Sequence, residues 1–108
     1  MYKVAGALFL LLIFPMNASA LSRPDLVIGW LGYSDGTIIQ ALSVRNYGRL
    51  PLQNVRILCR FFREEKPIGA SGSVTIANIA PGATDYNSIS IKSKIPPDQA
   101  DCHIASVR

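Results

Sequence analysis

The sequence predicts an all-β domain: an antiparallel β-sandwich of about six to seven strands closed by one disulfide. Three observations carry this. Apolar residues after position 25 come in short runs or alternate with polar ones, the period of a half-buried strand rather than a helix. Gly, Pro, Asn and Asp punctuate those runs at regular intervals, as turns require. Two cysteines, Cys59 and Cys102, are the only ones in the chain and fall in two of the alternating segments.

The first twenty residues read differently. Met1-Tyr2-Lys3 is a short cationic lead, Val4–Phe14 is an apolar run, Pro15, Met16 and Asn17 interrupt it, and Ala18-Ser19-Ala20 matches the small-x-small site of a signal peptidase. The run is short of the roughly 20 residues a spanning helix needs. Residues 1–20 are therefore expected to be a cleavable signal peptide, removed after Ala20. Residues 21–108 are expected to be the mature domain, periplasmic or secreted. Leu21 stands where a lipoprotein would carry its cysteine. Both methionines lie in the leader, so the mature domain has no thioether ligand for a soft metal.

In an exported chain, two cysteines are most simply paired. A Cys59–Cys102 bridge would close a loop of some 40 residues and stabilise the domain by roughly 4 kcal/mol in the chain-entropy picture. An intermolecular bridge or a redox pair are the alternatives, although the close C-x-x-C spacing of a redox pair is absent.

Six strands are expected in order. Leu26–Tyr33 follows the extended Arg23-Pro24-Asp25 and ends at the turn Ser34-Asp35-Gly36, where glycine tolerates positive φ. Thr37–Arg45 places Leu42 and Val44 on one face and ends at Asn46-Tyr47-Gly48-Arg49. The pattern is clearest in Leu52–Arg63: Val55, Ile57, Cys59 and Phe61 fall on one face, and Arg56, Leu58, Arg60 and Phe62 on the other. After the charged turn Glu64-Glu65-Lys66-Pro67, Ile68-Gly69-Ala70 begins a return marked by Val74, Ile76 and Ile79. Ala80-Pro81-Gly82 is a loop. Tyr86–Ile91 turns Ile89 and Ile91 inward. Ile95-Pro96-Pro97-Asp98 is a rigid connection, and Ala100–Val107 is the last strand, with Cys102 and Ile104 inward. Strict alternation puts Trp30 on the face of Leu26 and Ile28, packed near the bridge.

From Thr37 to Gly82 the chain resembles a known family. Val44-Arg45-Asn46-Tyr47-Gly48 closes one strand, Leu52-Gln53-Asn54-Val55-Arg56-Ile57 opens the next, Phe61-Phe62 ends it, and Ile79-Ala80-Pro81-Gly82 follows the return. This is similar to the FxLYD domains of bacterial extracytoplasmic proteins and to their CARDB-like relatives, whose opening phrase resembles Pro24-Asp25-Leu26-Val27-Ile28. The resemblance implies an immunoglobulin-like antiparallel β-sandwich with no assigned chemistry. Where the family motif reads Phe-x-Leu-Tyr-Asp, this chain has Cys59-Arg60-Phe61-Phe62-Arg63. A cysteine replaces a ring, and an arginine replaces the acid.

The function classes narrow accordingly. Eleven basic against seven acidic residues is a small excess, one less without Lys3, and no nucleic-acid motif accompanies it. The acids fall at strand ends and turns, no serine is marked as a nucleophile, and His103 is the only histidine. Asp101 and His103 share a face, but two ligands do not make a zinc site. The expectation is a domain that is not an enzyme and uses no catalytic residue, metal or cofactor. It would bind another envelope or secreted protein. The outward Arg56, Leu58, Arg60 and Phe62, with His103 on the last strand, form the candidate partner surface, because arginine and aromatic residues recur at interface hot spots. If the last strand lies beside the third, Asp101 could pair with Arg60. Strand addition at a sheet edge is a second mode of docking. An inhibitor or immunity-type protein acting through a protruding Ile95–Asp98 loop, or a structural subunit of a secretion or surface assembly, are the alternatives.

Overall fold

The computed structural model describes residues 23–108; the expected signal peptide lies outside the described residues. Six strands form: β1 (Pro24–Ser34), β2 (Thr37–Asn46), β3 (Leu52–Arg63), β4 (Lys66–Ile79), β5 (Thr84–Lys92) and β6 (Gln99–Ser106). They make two three-stranded antiparallel sheets, β1-β2-β5 and β4-β3-β6. The hairpins β1–β2 and β3–β4 lie in opposite sheets. β5 then returns to pair with β2, and β6 with β3, so the three longer connections all cross between sheets. The sandwich expected from strand period and turn spacing is what the chain adopts.

The two hairpin turns solve one geometric problem with different residues. Asp35 and Gly36 both have positive φ, 51° and 75°. This is the Asp-Gly hairpin turn whose twist matches the flanking strands. At the β3–β4 turn the same role falls to Glu64 and Glu65, at φ 51° and 66°. Neither is a glycine, and each bears the crowding of its Cβ in the left-handed region. Glu65→Gly is expected to stabilise the domain by about 1 kcal/mol, raising Tm by about 4–8 °C in a thermal melt followed by circular dichroism.

The core lies between the sheets. Val55, Ile57, Cys59 and Phe61 of β3 are all fully buried, meeting Ile38, Leu42, Val44 and Ile89 from the other sheet. At one point the sheets come closer than side chains normally allow. Gly72 pairs with Cys59, and a Cβ placed on it would stand 2.7 Å from Cγ2 of Ile89. β5 rests on that glycine.

The bridge forms as expected between Cys59 and Cys102, which are directly opposite in the β3–β6 ladder with Cα atoms 4.0 Å apart. It therefore ties two neighbouring strands of one sheet. In antibody domains the bridge joins the two sheets instead. Cys102 and Ile104 are half-buried and pack against the core, as their inward assignment requires.

The placement of Trp30 is corrected. β1 and β2 pair in register from Pro24 to Ile28 and again from Leu31 to Ser34, with a bulge between. The bulge changes the phase, so that Leu31 packs on the core while Trp30 is 65% exposed on the outside of its sheet.

Candidate functional site: two outer sheet faces and the loops at the ends

The expected partner surface is assembled on the outer face of β4-β3-β6. The register makes Leu58 the neighbour of His103, Arg60 of Asp101 and Phe62 of Gln99. Arg56 stands between Thr75 and Ser106. The third and last strands are thus neighbours, as the bridge implied. Arg60 has Asp101 across the ladder, but its guanidinium carbon lies over the Phe62 ring, 5.7 Å from the centroid. Leu58 and Phe62 are only partly exposed, and Arg60 lies over the Phe62 ring. The face is a row of cross-strand pairs with modest apolar area open to a partner.

The opposite face differs. On the outside of β1-β2-β5 the register lines up Val27, Ser43 and Tyr86 in one row and Gly32, Ile39 and Ser90 in another. The Trp30 ring lies on Gly32: a Cβ there would collide with its six-membered ring. Val27 is 55% exposed and Tyr86 78%. With half-buried Ile39 and Ala41 between them, these residues make an aromatic-rich apolar surface on a small domain.

A buried amide holds the arrangement. Gln40 is fully buried in β2, and its Nε2 donates to the carbonyls of Gly29 (3.1 Å), Trp30 (3.2 Å) and Ala41 (2.8 Å). Gly29 and Trp30 fall in the bulge, where the β1–β2 register is broken. Gln40 thus supplies a donor where the ladder does not. Its own Oε1 is buried with no hydrogen-bond partner among the described residues. Sequence reading missed Gln40. The available signal was Gly29, because an isolated glycine inside a strand marks a bulge or a close backbone approach.

The loop after β5, expected to be rigid from its prolines, is hydrogen-bonded to both sheets. Ser93 N–H donates to the Gly36 carbonyl and Tyr33 OH to the Ser93 carbonyl, fixing the loop to the first sheet. Arg63 donates to the Pro96 carbonyl, Asp98 N–H to the Phe62 carbonyl, and Glu64 N–H to the Asp98 carboxylate, fixing it to the second. Ser93 Oγ is engaged within the loop, donating to the Ile95 carbonyl and accepting from Ile95 N–H. Beside the loop, Tyr33, Asp35, Gly36, Lys92, Ser93 and Lys94 line an open depression of about 560 Å³. Among the described residues no three His, Cys, Asp or Glu side chains gather where they could hold a metal ion.

At the other end, where the described chain enters at Arg23, Asn46 is a buried corner post. Its Nδ2 donates to the carbonyls of Leu50 (2.8 Å) and Ile79 (3.0 Å), and its Oδ1 accepts from Gly48 N–H (2.8 Å). Its backbone bonds to Ala83 and Gly82. One residue thus ties the end of β2 to both loops at this end and to the last residue of β4. Next to it, Arg23 and Arg45 both approach the Tyr47 ring, at 5.8 and 5.0 Å from the centroid.

No family model matches the chain, and no curated protein matches it either. Among solved structures, the trimeric lipoprotein SadB of Salmonella enterica is similar over 79% of this chain, with a TM-score of 0.57 and 13% identity. The likeness is one of fold. The chain spans about half of that structure's length, 53%.

Proposed function

We propose that this protein is an exported, non-catalytic binding module that docks another protein of the cell envelope through the outer face of β1-β2-β5. The observation that carries the reading is the outward Trp30. Simple alternation would bury it. The fold instead inserts a bulge, places a glycine beneath the ring and commits a buried glutamine to the bulge carbonyls. Bulges recur where a side chain has to be re-aimed, and exposed Trp and Tyr are the side chains favoured at interface hot spots. β5, an edge strand of the same sheet among the described residues, pairs with β2 without a register shift. Its outer edge therefore offers a regular row of backbone groups for strand addition. The disulfide supports an oxidising compartment, and the similarity of fold to a trimeric lipoprotein supports an extracytoplasmic setting. The FxLYD- and CARDB-like kinship belongs to this proposal, supported by the strand run Leu52–Phe62 in a sandwich of the implied kind.

Photo-cross-linking in intact cells tests it, with the reactive residue at position 30 or 86 and, for comparison, at position 60. One discrete adduct from positions 30 and 86 is expected, and none from 60. Trp30→Ala is expected to change unfolding stability by less than about 0.5 kcal/mol while weakening capture of that adduct partner by roughly 30-fold, a hot-spot effect. Adducts from position 60 alone, with binding lost in Arg56→Glu plus Arg60→Glu, would move the site to the face of Arg56, Leu58, Arg60, Phe62 and His103.

A second reading is favoured by one observation. The loop 93–98 is pinned to both sheets while Ile95 and Pro96 face solvent, the form an inhibitory loop takes. Shortening it should then abolish inhibition of a cognate envelope enzyme and leave the Trp30 face unaffected.

A further inference from the structure

The charges of the described domain are not spread evenly. In the half that carries the two hairpin turns and loop 93–98, Arg60, Arg63, Lys66, Lys92 and Lys94 are balanced by Asp35, Glu64, Glu65, Asp98 and Asp101. The half at which the chain enters holds Arg23, Arg45, Arg49, Arg56 and Arg108 against Asp25 and Asp85 alone. Asp85 pairs with Val44 on the inward side of its sheet, and only Asp25, opposite Arg45, shares the outer surface. The domain's whole positive excess is therefore at one end.

Two further features lie at that end. Tyr47 is 54% exposed beneath two guanidinium groups, and Leu50, in the same loop, is 52% exposed. An exposed leucine and tyrosine among arginines is the composition of a surface that sits at the headgroup level of a bilayer. The ring also lets two like charges stay close together without an acid between them.

We propose that this end of the sandwich, through Arg23, Arg45, Tyr47, Arg49 and Leu50, docks on a bilayer surface of anionic lipid headgroups. Docked end-on, the domain would stand with both sheets upright. Trp30 lies seven positions along the chain from Arg23, about 20 Å of strand, so its face would stay free for a protein partner. This goes beyond the docking face proposed above and can fail independently of it.

The experiment uses the protein as exported, with its N-terminus defined by intact mass. It is mixed with vesicles of phosphatidylglycerol and phosphatidylcholine, or of phosphatidylcholine alone, and sedimented at low and high salt. Binding is expected on the anionic vesicles only, weakened by salt. Each of Arg45→Gln and Arg49→Gln should weaken it about fivefold, whereas Arg60→Gln plus Arg63→Gln, at the balanced end, leaves it unchanged. Trp30→Ala should also leave it unchanged, and iodide should quench Trp30 equally with and without vesicles. Equal binding to neutral vesicles, an equal loss in the Arg60/Arg63 control, shielding of Trp30 on the bilayer, or arginine-dependent binding to an acidic protein with none to vesicles would each overturn the proposal.

Discussion

Replacing both cysteines, as in Cys59→Ala plus Cys102→Ala, is expected to remove roughly 4 kcal/mol of stability. For a domain of this size that is a large share of a total of about 5–15 kcal/mol. The bridge spans 43 positions, so cutting it frees a long loop in the unfolded chain and raises that chain's entropy. Cys59 is also fully buried among Ile57, Phe61 and their neighbours, so alanine leaves a small void. The loss should be unevenly distributed. Among the described residues β6 is an edge strand whose only ladder partner is β3, and the bridge is the covalent tie between them. Guanidinium unfolding should show a lower midpoint and a larger slope, because the uncrosslinked chain exposes more surface when unfolded. Hydrogen exchange should show the β6 amides losing protection first. A midpoint unchanged by the double substitution would mean that the bridge contributes nothing to the native fold.

Asn46→Ala is expected to be nearly as damaging, at roughly 3–5 kcal/mol, although it removes only a small polar side chain. The asparagine satisfies three backbone groups at once: the carbonyls of Leu50 and Ile79 and the N–H of Gly48. Asn46 and Gly48 are themselves buried, so alanine leaves donors and acceptors stranded rather than returned to water, at about 1–3 kcal/mol each. The contacts also join the two sheets, since Asn46 ends β2 and Ile79 ends β4. Loops 47–51 and 80–83 should therefore loosen together. Thermal melts check the size, with Tm expected to fall by about 15–25 °C. Asn78→Ala, at an exposed position one residue before Ile79, is the control and should cost less than about 0.5 kcal/mol.

The sequence discloses strand period well, and exceptions to period poorly. Strand β3 was legible residue by residue, because eight positions alternate without interruption from Val55 to Phe62 and the cysteine falls in phase with the apolar set. The pairing of Cys59 with Cys102 was legible from their number and from the export expected of residues 1–20. Strand β4 proved longer than its apolar marks, running from Lys66 to Ile79 through serines and glycines that say little by themselves. Asn46 was read as punctuation ending a strand, which it is. That its side chain also closes the corner depends on Ile79, 33 positions away, and no local pattern carries that. Trp30 was misplaced for a related reason. Leu26 and Ile28 are in one phase, Leu31 and Tyr33 in the other, and the slip between them is absorbed by a bulge whose carbonyls are served by Gln40. A glutamine amid apolar residues in β2 and a glycine just before the tryptophan were the visible traces. The candidate face Arg56, Leu58, Arg60, Phe62 and His103 was assembled correctly in space by the register. How little apolar surface it leaves open depends on how its own long side chains lie over it.

The bulge holds Trp30 away from the core, and the protein carries a direct reporter of it. Trp30 is the only tryptophan in the sequence, so intrinsic fluorescence of the purified protein reads this one side chain. Iodide quenching of the native domain is the measurement. A red-shifted emission quenched nearly as well as that of the urea-unfolded chain is the result predicted. A blue-shifted emission protected from iodide would put the ring back beside the bridge, where strict alternation had placed it, and would contradict the proposed docking face.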